Sequence, residues 1–120
     1  MTAGMAVLLV ANAAAALLSA GSSVAGAIRP GLVLAANEPI TAGTRLYARA
    51  YTVRAVPLGV VTALVLAAGS RAAAWPMLVV AGLAQVGDTA IGVRQRNIGM
   101  TIGAGAAAVL HLVTAWWLAR

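Results

Sequence analysis

Four long apolar runs, separated by short polar breaks, constrain this chain more than any other feature. They cover about residues 5–28, 43–69, 74–93 and 98–118. Twenty helical residues rise about 30 Å, the thickness of a bilayer's hydrocarbon core. Lipid offers no partner to a free backbone N–H or C=O, so each run is expected to close its own hydrogen bonds as a helix. The expected fold is therefore all-α: one domain over 1–120, an integral membrane bundle of four transmembrane helices. Composition agrees, because 62% of residues are hydrophobic and only 8% are charged, against about 25% charged in a soluble domain.

The breaks set the topology. In the first run, Ala25-Gly26-Ala27 has the look of a secretory cleavage site, but no Lys or Arg precedes the apolar stretch as such peptides require. A retained helix is expected. Arg29-Pro30-Gly31 ends it, since proline lacks an N–H and restricts its predecessor. The loop 29–42 carries the apolar piece Leu32–Ala36 and then Asn37-Glu38-Pro39. It is expected either to lie in the interface or to dip back toward the bundle, bringing Glu38 to a substrate. Four spans put both termini and the turn at Arg71 on one face, here the terminal face. The 29–42 loop and the turn 94–97 lie on the other, the loop face. Arg29, Arg45, Arg49, Arg94 and Arg96 fall at the loop face, and only Arg71 and Arg120 at the terminal face. This bias points the loop face to the cytoplasm and both termini outside, in a plasma membrane. Trp75, Trp116, Trp117 and Tyr47 sit at span ends as interfacial anchors.

Several function classes are excluded. The net charge of +6 rests on eight arginines at the ends of apolar runs. Nucleic-acid binding needs a solvated basic face instead. There is no cysteine, hence no disulfide or thiolate chemistry. One histidine and two acids, far apart in sequence, make no metal site. No phosphate-binding or dinucleotide motif appears, so no cofactor is expected. The expected partners are the lipid bilayer and an apolar small molecule. Homo-oligomers are also expected, since Gly99 and Gly103 form a G-x-x-x-G pair of the kind that brings membrane helices together.

The polar groups inside the spans carry the functional expectation. Arg54 lies 17 residues before Arg71 and Asp88 lies 17 after it. A turn centred on Arg71 would bring them to one height, where an ion pair makes both tolerable in lipid. Arg54 is also about 15 Å along its helix, too deep for an easy interface position. Pro57 frees the carbonyl of Val53 beside it. Tyr51, Arg54 and Leu58 share a face; Gln85, Asp88 and Thr89 share another. Asn12 and His111 are each about eight residues from the terminal face and are expected to meet, with Gln85 between their level and that of Asp88. Two polar layers about 10 Å apart follow from the rise per residue. Each group also has a plain structural alternative: register-setting pair, interhelical contact, interfacial belt or solvated loop charge.

The run Arg45-Leu46-Tyr47-Ala48-Arg49-Ala50-Tyr51-Thr52-Val53-Arg54-Ala55-Val56-Pro57-Leu58-Gly59, with Gly87-Asp88 in the third span and His111 in the fourth, resembles a group of small uncharacterised four-helix membrane proteins loosely similar to the DoxX-like families. The resemblance implies a four-helix bundle and marks Arg54, Asp88 and His111 as the positions to carry over.

The leading expectation is a membrane-embedded acid/base enzyme of isomerase, cyclase or epoxide-opening type. Asp88, Arg54 and His111 would be catalytic; Tyr51, Gln85, Asn12, Thr89 and Glu38 would bind substrate. The alternatives are a small oligomeric proton-coupled transporter or channel subunit, or a structural accessory subunit. Length and span number fit the small multidrug-resistance exporters, but those carry an essential glutamate in the first helix, and the first run here has no acid.

Overall fold

The computed structural model describes all 120 residues. It is all-helical: α1 (Ala3–Ile28), α2 (Ala42–Ala67), α3 (Arg71–Arg94) and α4 (Ile98–Ala119), with a 3-10 turn at Pro30–Val33. All four helices are long and apolar enough to cross a membrane, and they pack as an antiparallel bundle of about 49 × 22 × 19 Å. The chain is an integral membrane protein by these spans.

Each helix start is capped by a side-chain oxygen that accepts an otherwise unpaired backbone N–H. Thr2, Thr41, Ser70 and Asn97 serve α1 to α4 in turn. Ser70 begins α3 earlier than hydropathy suggests, so Arg71 is helical and the turn is Ala68–Ser70, with Gly69 at φ +71°. Arg71 then donates from Nε to the carbonyl of Leu118 at 2.5 Å. A cation on the last carbonyls of α4 also suits the negative end of that helix.

The bundle is two tight hairpins joined by a looser seam. α1 packs closely on α2 and α3 on α4, while α2–α3 and α1–α4 touch sparsely. Glycines decide this. A Cβ on Gly59 would lie 2.5 Å from the Ala16 carbonyl oxygen. One on Gly82 would meet Leu112 at 2.6 Å, and one on Gly92 the Thr101 nitrogen at 2.8 Å. Backbones approach only where no side chain intervenes. The G-x-x-x-G pair does not play this part: Gly103 has nothing within 4 Å of its Cβ position, and Gly99 meets only the side-chain oxygen of Asn97, at 3.6 Å.

The two ends differ. At the terminal face, Leu66, Ala74, Leu78, Ala115 and Leu118 form an apolar core, backed by Met5, Leu9 and Ala13. At the loop face, the segment after α1 folds back under the bundle. Pro30 is buried, and Asn97 donates from Nδ2 to the Leu32 carbonyl at 3.1 Å. Val33, Leu34 and Ala35 are half-buried, and the loop from Ala36 on, Glu38 included, is exposed.

Candidate functional site

The seam between the hairpins holds a half-open cavity of about 230 Å³ that all four helices line. α2 supplies Tyr51, Arg54 and Thr62; α3 supplies Gln85 and Asp88; α1 supplies Ser19; α4 supplies His111. Alanines, Leu58 and Gly59 complete the wall. A larger cavity of about 600 Å³ opens between α1 and α4 toward the loop face and shares Ser19, Tyr51, Gln85 and Asp88 with the first. A third, of about 420 Å³, reaches Tyr51 from the start of α2.

The expected Arg54–Asp88 ion pair is not formed. Asp88 accepts instead from the Tyr51 hydroxyl at 2.5 Å. The reason is the position of the turn. About its real centre, Gly69, Tyr51 lies 18 residues before and Asp88 lies 19 after. Tyr51 is therefore level with the carboxylate. Arg54, three residues further along α2, falls about 5 Å nearer the terminal face. Arg54 stays exposed on the cavity wall. Tyr51 also stacks on Tyr47, ring centroids 6.3 Å apart.

At the deeper end the structure brings Asn12 and His111 together. Both are fully buried. His111 Nδ1 lies 2.7 Å from Asn12 Oδ1. Asn12 Nδ2 donates to the Leu8 carbonyl at 2.8 Å and to Thr114 Oγ1 at 2.9 Å. Between the two levels, Gln85 Nε2 donates to Ser19 Oγ at 2.7 Å. Residues of both expected layers, Tyr51, Arg54 and Asp88 from one and Gln85 and His111 from the other, line this one cavity.

Three substrate-binding expectations are corrected. Thr89 returns its hydroxyl to the Gln85 carbonyl on its own helix at 2.7 Å and is absent from the cavity wall. Asn12 does not line the cavity either; it acts on His111. Glu38 reaches none of the three cavities, because its loop is exposed at the rim. Sequence reasoning missed Ser19, Thr62 and Thr114. A signal for Ser19 existed: Asn12, Ser19 and Ser23 recur at offsets of seven and four, one helical face of α1.

The fold and the site define a small integral membrane helix bundle with a largely apolar central cavity that a few polar side chains punctuate. No protein-family model, curated protein or solved structure matches the chain.

Proposed function

We propose that the protein is a membrane-embedded acid/base enzyme acting on an apolar small molecule held in the central cavity. The observation that carries this is a single cavity lined by both Asp88 and His111, two proton-transfer groups from different helices. Tyr51 holds the Asp88 carboxyl, and Arg54 adds a guanidinium to the same wall without an internal partner. An unpaired cation at that depth is costly unless it serves a ligand. The chemistry that fits is proton movement: isomerisation, cyclisation or epoxide opening. In epoxide opening, Asp88 gives its proton to the ring oxygen as the C–O bond breaks, and Arg54 stabilises the charge on that oxygen. His111 takes a proton from the adjacent carbon, or from the hydroxyl that attacks. The proton then returns from His111 to Asp88, so the starting form is restored.

A second function, a proton-coupled carrier, draws on the asymmetry of the ends. The larger cavities lead to the loop face, while the terminal face is sealed by the Leu78 core. Access from one side is the form expected of a carrier in one of its states. The arginine bias favours a plasma-membrane protein with the loop face cytoplasmic. The likeness to DoxX-like families in layout supports a bundle and leaves the activity open.

The test is turnover in vesicles with cyclohexene oxide, 1-methylcyclohexene oxide and related small cyclic epoxides, products read by mass spectrometry. Ring-opened or isomerised product is expected, lost in Asp88→Asn and in His111→Gln. No product above empty vesicles across the panel, or turnover that survives Asp88→Asn, overturns the enzyme. Substrate-dependent proton flux without product would put the carrier in its place.

A further inference from the structure

The neighbours of the one histidine fix which of its nitrogens carries the proton. Asn12 Nδ2 faces two acceptors, the Leu8 carbonyl and the Thr114 hydroxyl oxygen. A carbonyl can only accept, so the amide cannot be flipped. Asn12 Oδ1 is therefore the atom turned to His111 at 2.7 Å, and it needs a donor. Nδ1 must carry the hydrogen. In the neutral ring Nε2 is then a bare lone pair. That atom is buried and makes no hydrogen bond within the protein. Nδ1 points to Asn12, which lies outside the cavity wall, whereas His111 belongs to the wall but has no surface open to water, so a ligand meets Nε2 only by displacing neighbouring side chains. Nor do neighbouring hydroxyls compete for it. Thr62 gives its proton to the Leu58 carbonyl, and no hydroxyl, that of Ser19 included, lies within hydrogen-bond distance of Nε2. A buried acceptor left unpaired costs about 1–3 kcal/mol.

We propose that the deep end of the central cavity is a hydroxyl-recognition site, where His111 Nε2 accepts the O–H of a compact, otherwise apolar alcohol. This rests on the central cavity being a small-molecule site, and it names the ligand class. The rest of the wall at that depth is Ala16, Leu58, Gly59, Ala81 and Thr62, whose proton is already given to the Leu58 carbonyl. The volume of about 230 Å³ lies below the roughly 300–1,000 Å³ of drug-sized pockets. The ligand is thus a small ring or branched alcohol, which is also the product class of epoxide opening. Asn12 is a positioning residue here, setting the tautomer without touching the ligand.

The single histidine makes the test direct. Protein labelled with ¹⁵N-histidine, purified without a histidine tag and placed in lipid nanodiscs, gives one pair of ring nitrogen signals. A protonated Nδ1 and an unprotonated Nε2 are expected. Cyclohexanol should move the Nε2 signal saturably toward the hydrogen-bonded position. Methylcyclohexane, of the same shape without the hydroxyl, should leave it in place. Ala84→Leu, which fills the cavity wall, should lose the alcohol response while keeping the tautomer. Both nitrogens protonated, the proton on Nε2, an Nε2 satisfied by water alone so that cyclohexanol moves nothing, or equal responses to the two probes would each overturn the proposal. None of these readings requires turnover. A saturable alcohol response in a protein that turns over no epoxide would remove the acid/base function and leave the hydroxyl site standing.

Discussion

Replacing Asn12 by leucine, a side chain of similar size, tests how the deep polar layer is held. Asn12 takes part in three hydrogen bonds, to Leu8, Thr114 and His111. Their losses are unequal. The Leu8 carbonyl lies within the helical ladder of α1. Thr114 can turn its hydroxyl to the carbonyl four residues back, as Thr52, Thr62, Thr89 and Thr101 all do in this protein. His111 has no such alternative, and its Nδ1–H is left unpaired in a fully buried site. One orphaned donor costs about 1–3 kcal/mol. Interhelical hydrogen bonds in membranes average nearer 0.6 and reach about 1.7 kcal/mol. The expected loss is thus about 1–2 kcal/mol for Asn12→Leu. His111→Leu, which orphans the asparagine oxygen, should cost about the same. The double variant removes both partners and should cost clearly less than the two together, with a coupling of about 1 kcal/mol. Reversible unfolding in mixed micelles of increasing dodecyl sulfate content measures all three. Additivity within about 0.3–0.5 kcal/mol would show that the 2.7 Å contact contributes nothing and that the tautomer argument lacks its basis.

Four further outcomes follow from the packing. Gly59→Ala drives a methyl into the Ala16 backbone and should destabilise by about 1–3 kcal/mol in the same assay. Gly103→Ala meets nothing and should be neutral or stabilising by up to about 1 kcal/mol; a large loss there, with a change in oligomeric state by light scattering, would restore the G-x-x-x-G pair as an interface. Arg54→Met should change stability by less than about 1 kcal/mol while abolishing turnover; a loss of about 3–5 kcal/mol would instead mark a buried ion pair. Arg71→Met removes the cap on the last turn of α4 and should raise amide exchange at Trp117–Arg120 selectively, with a cost of about 0.5–1.5 kcal/mol; unchanged exchange there would refute the capping role.

Span number and helix type were legible because lipid leaves the backbone few choices, and hydropathy reports directly on it. Helix ends were less so. The third helix begins at Arg71 because Ser70 caps it, and hydropathy is blind to a capping hydroxyl. That shift of the turn from Arg71 to Gly69 moved the level of Asp88 from Arg54 to Tyr51. Side-chain pairing was therefore lost through a small error in register, although the residues that share the cavity were within reach of depth counting. Asn12 and His111 could be brought together by counting because both lie near the same well-defined end. Which glycines make close approaches was not legible at all. Gly59, Gly82 and Gly92 look no different in sequence from Gly103, and only the partner backbone distinguishes them.

The division into two hairpins explains why the polar groups converge. Within each hairpin, small residues let backbones touch, and dispersion suffices. Across the seam the helices stand further apart, and lipid supplies no hydrophobic drive to bring them closer. Directed hydrogen bonds do that work: Tyr51 to Asp88, Gln85 to Ser19, and Asn12 to His111 and Thr114. The gap they span holds the cavity, and all of them but Asn12 and Thr114 line it. The groups that hold the hairpins together are hence largely the groups available for chemistry. Removal of one should disturb assembly and function at once, and only shape-conserving replacements can separate the two. Arg54 is the exception, a charged wall residue with no internal partner. A loss of turnover there without a loss of fold would be the cleanest sign that the seam exists for a ligand and not only for register.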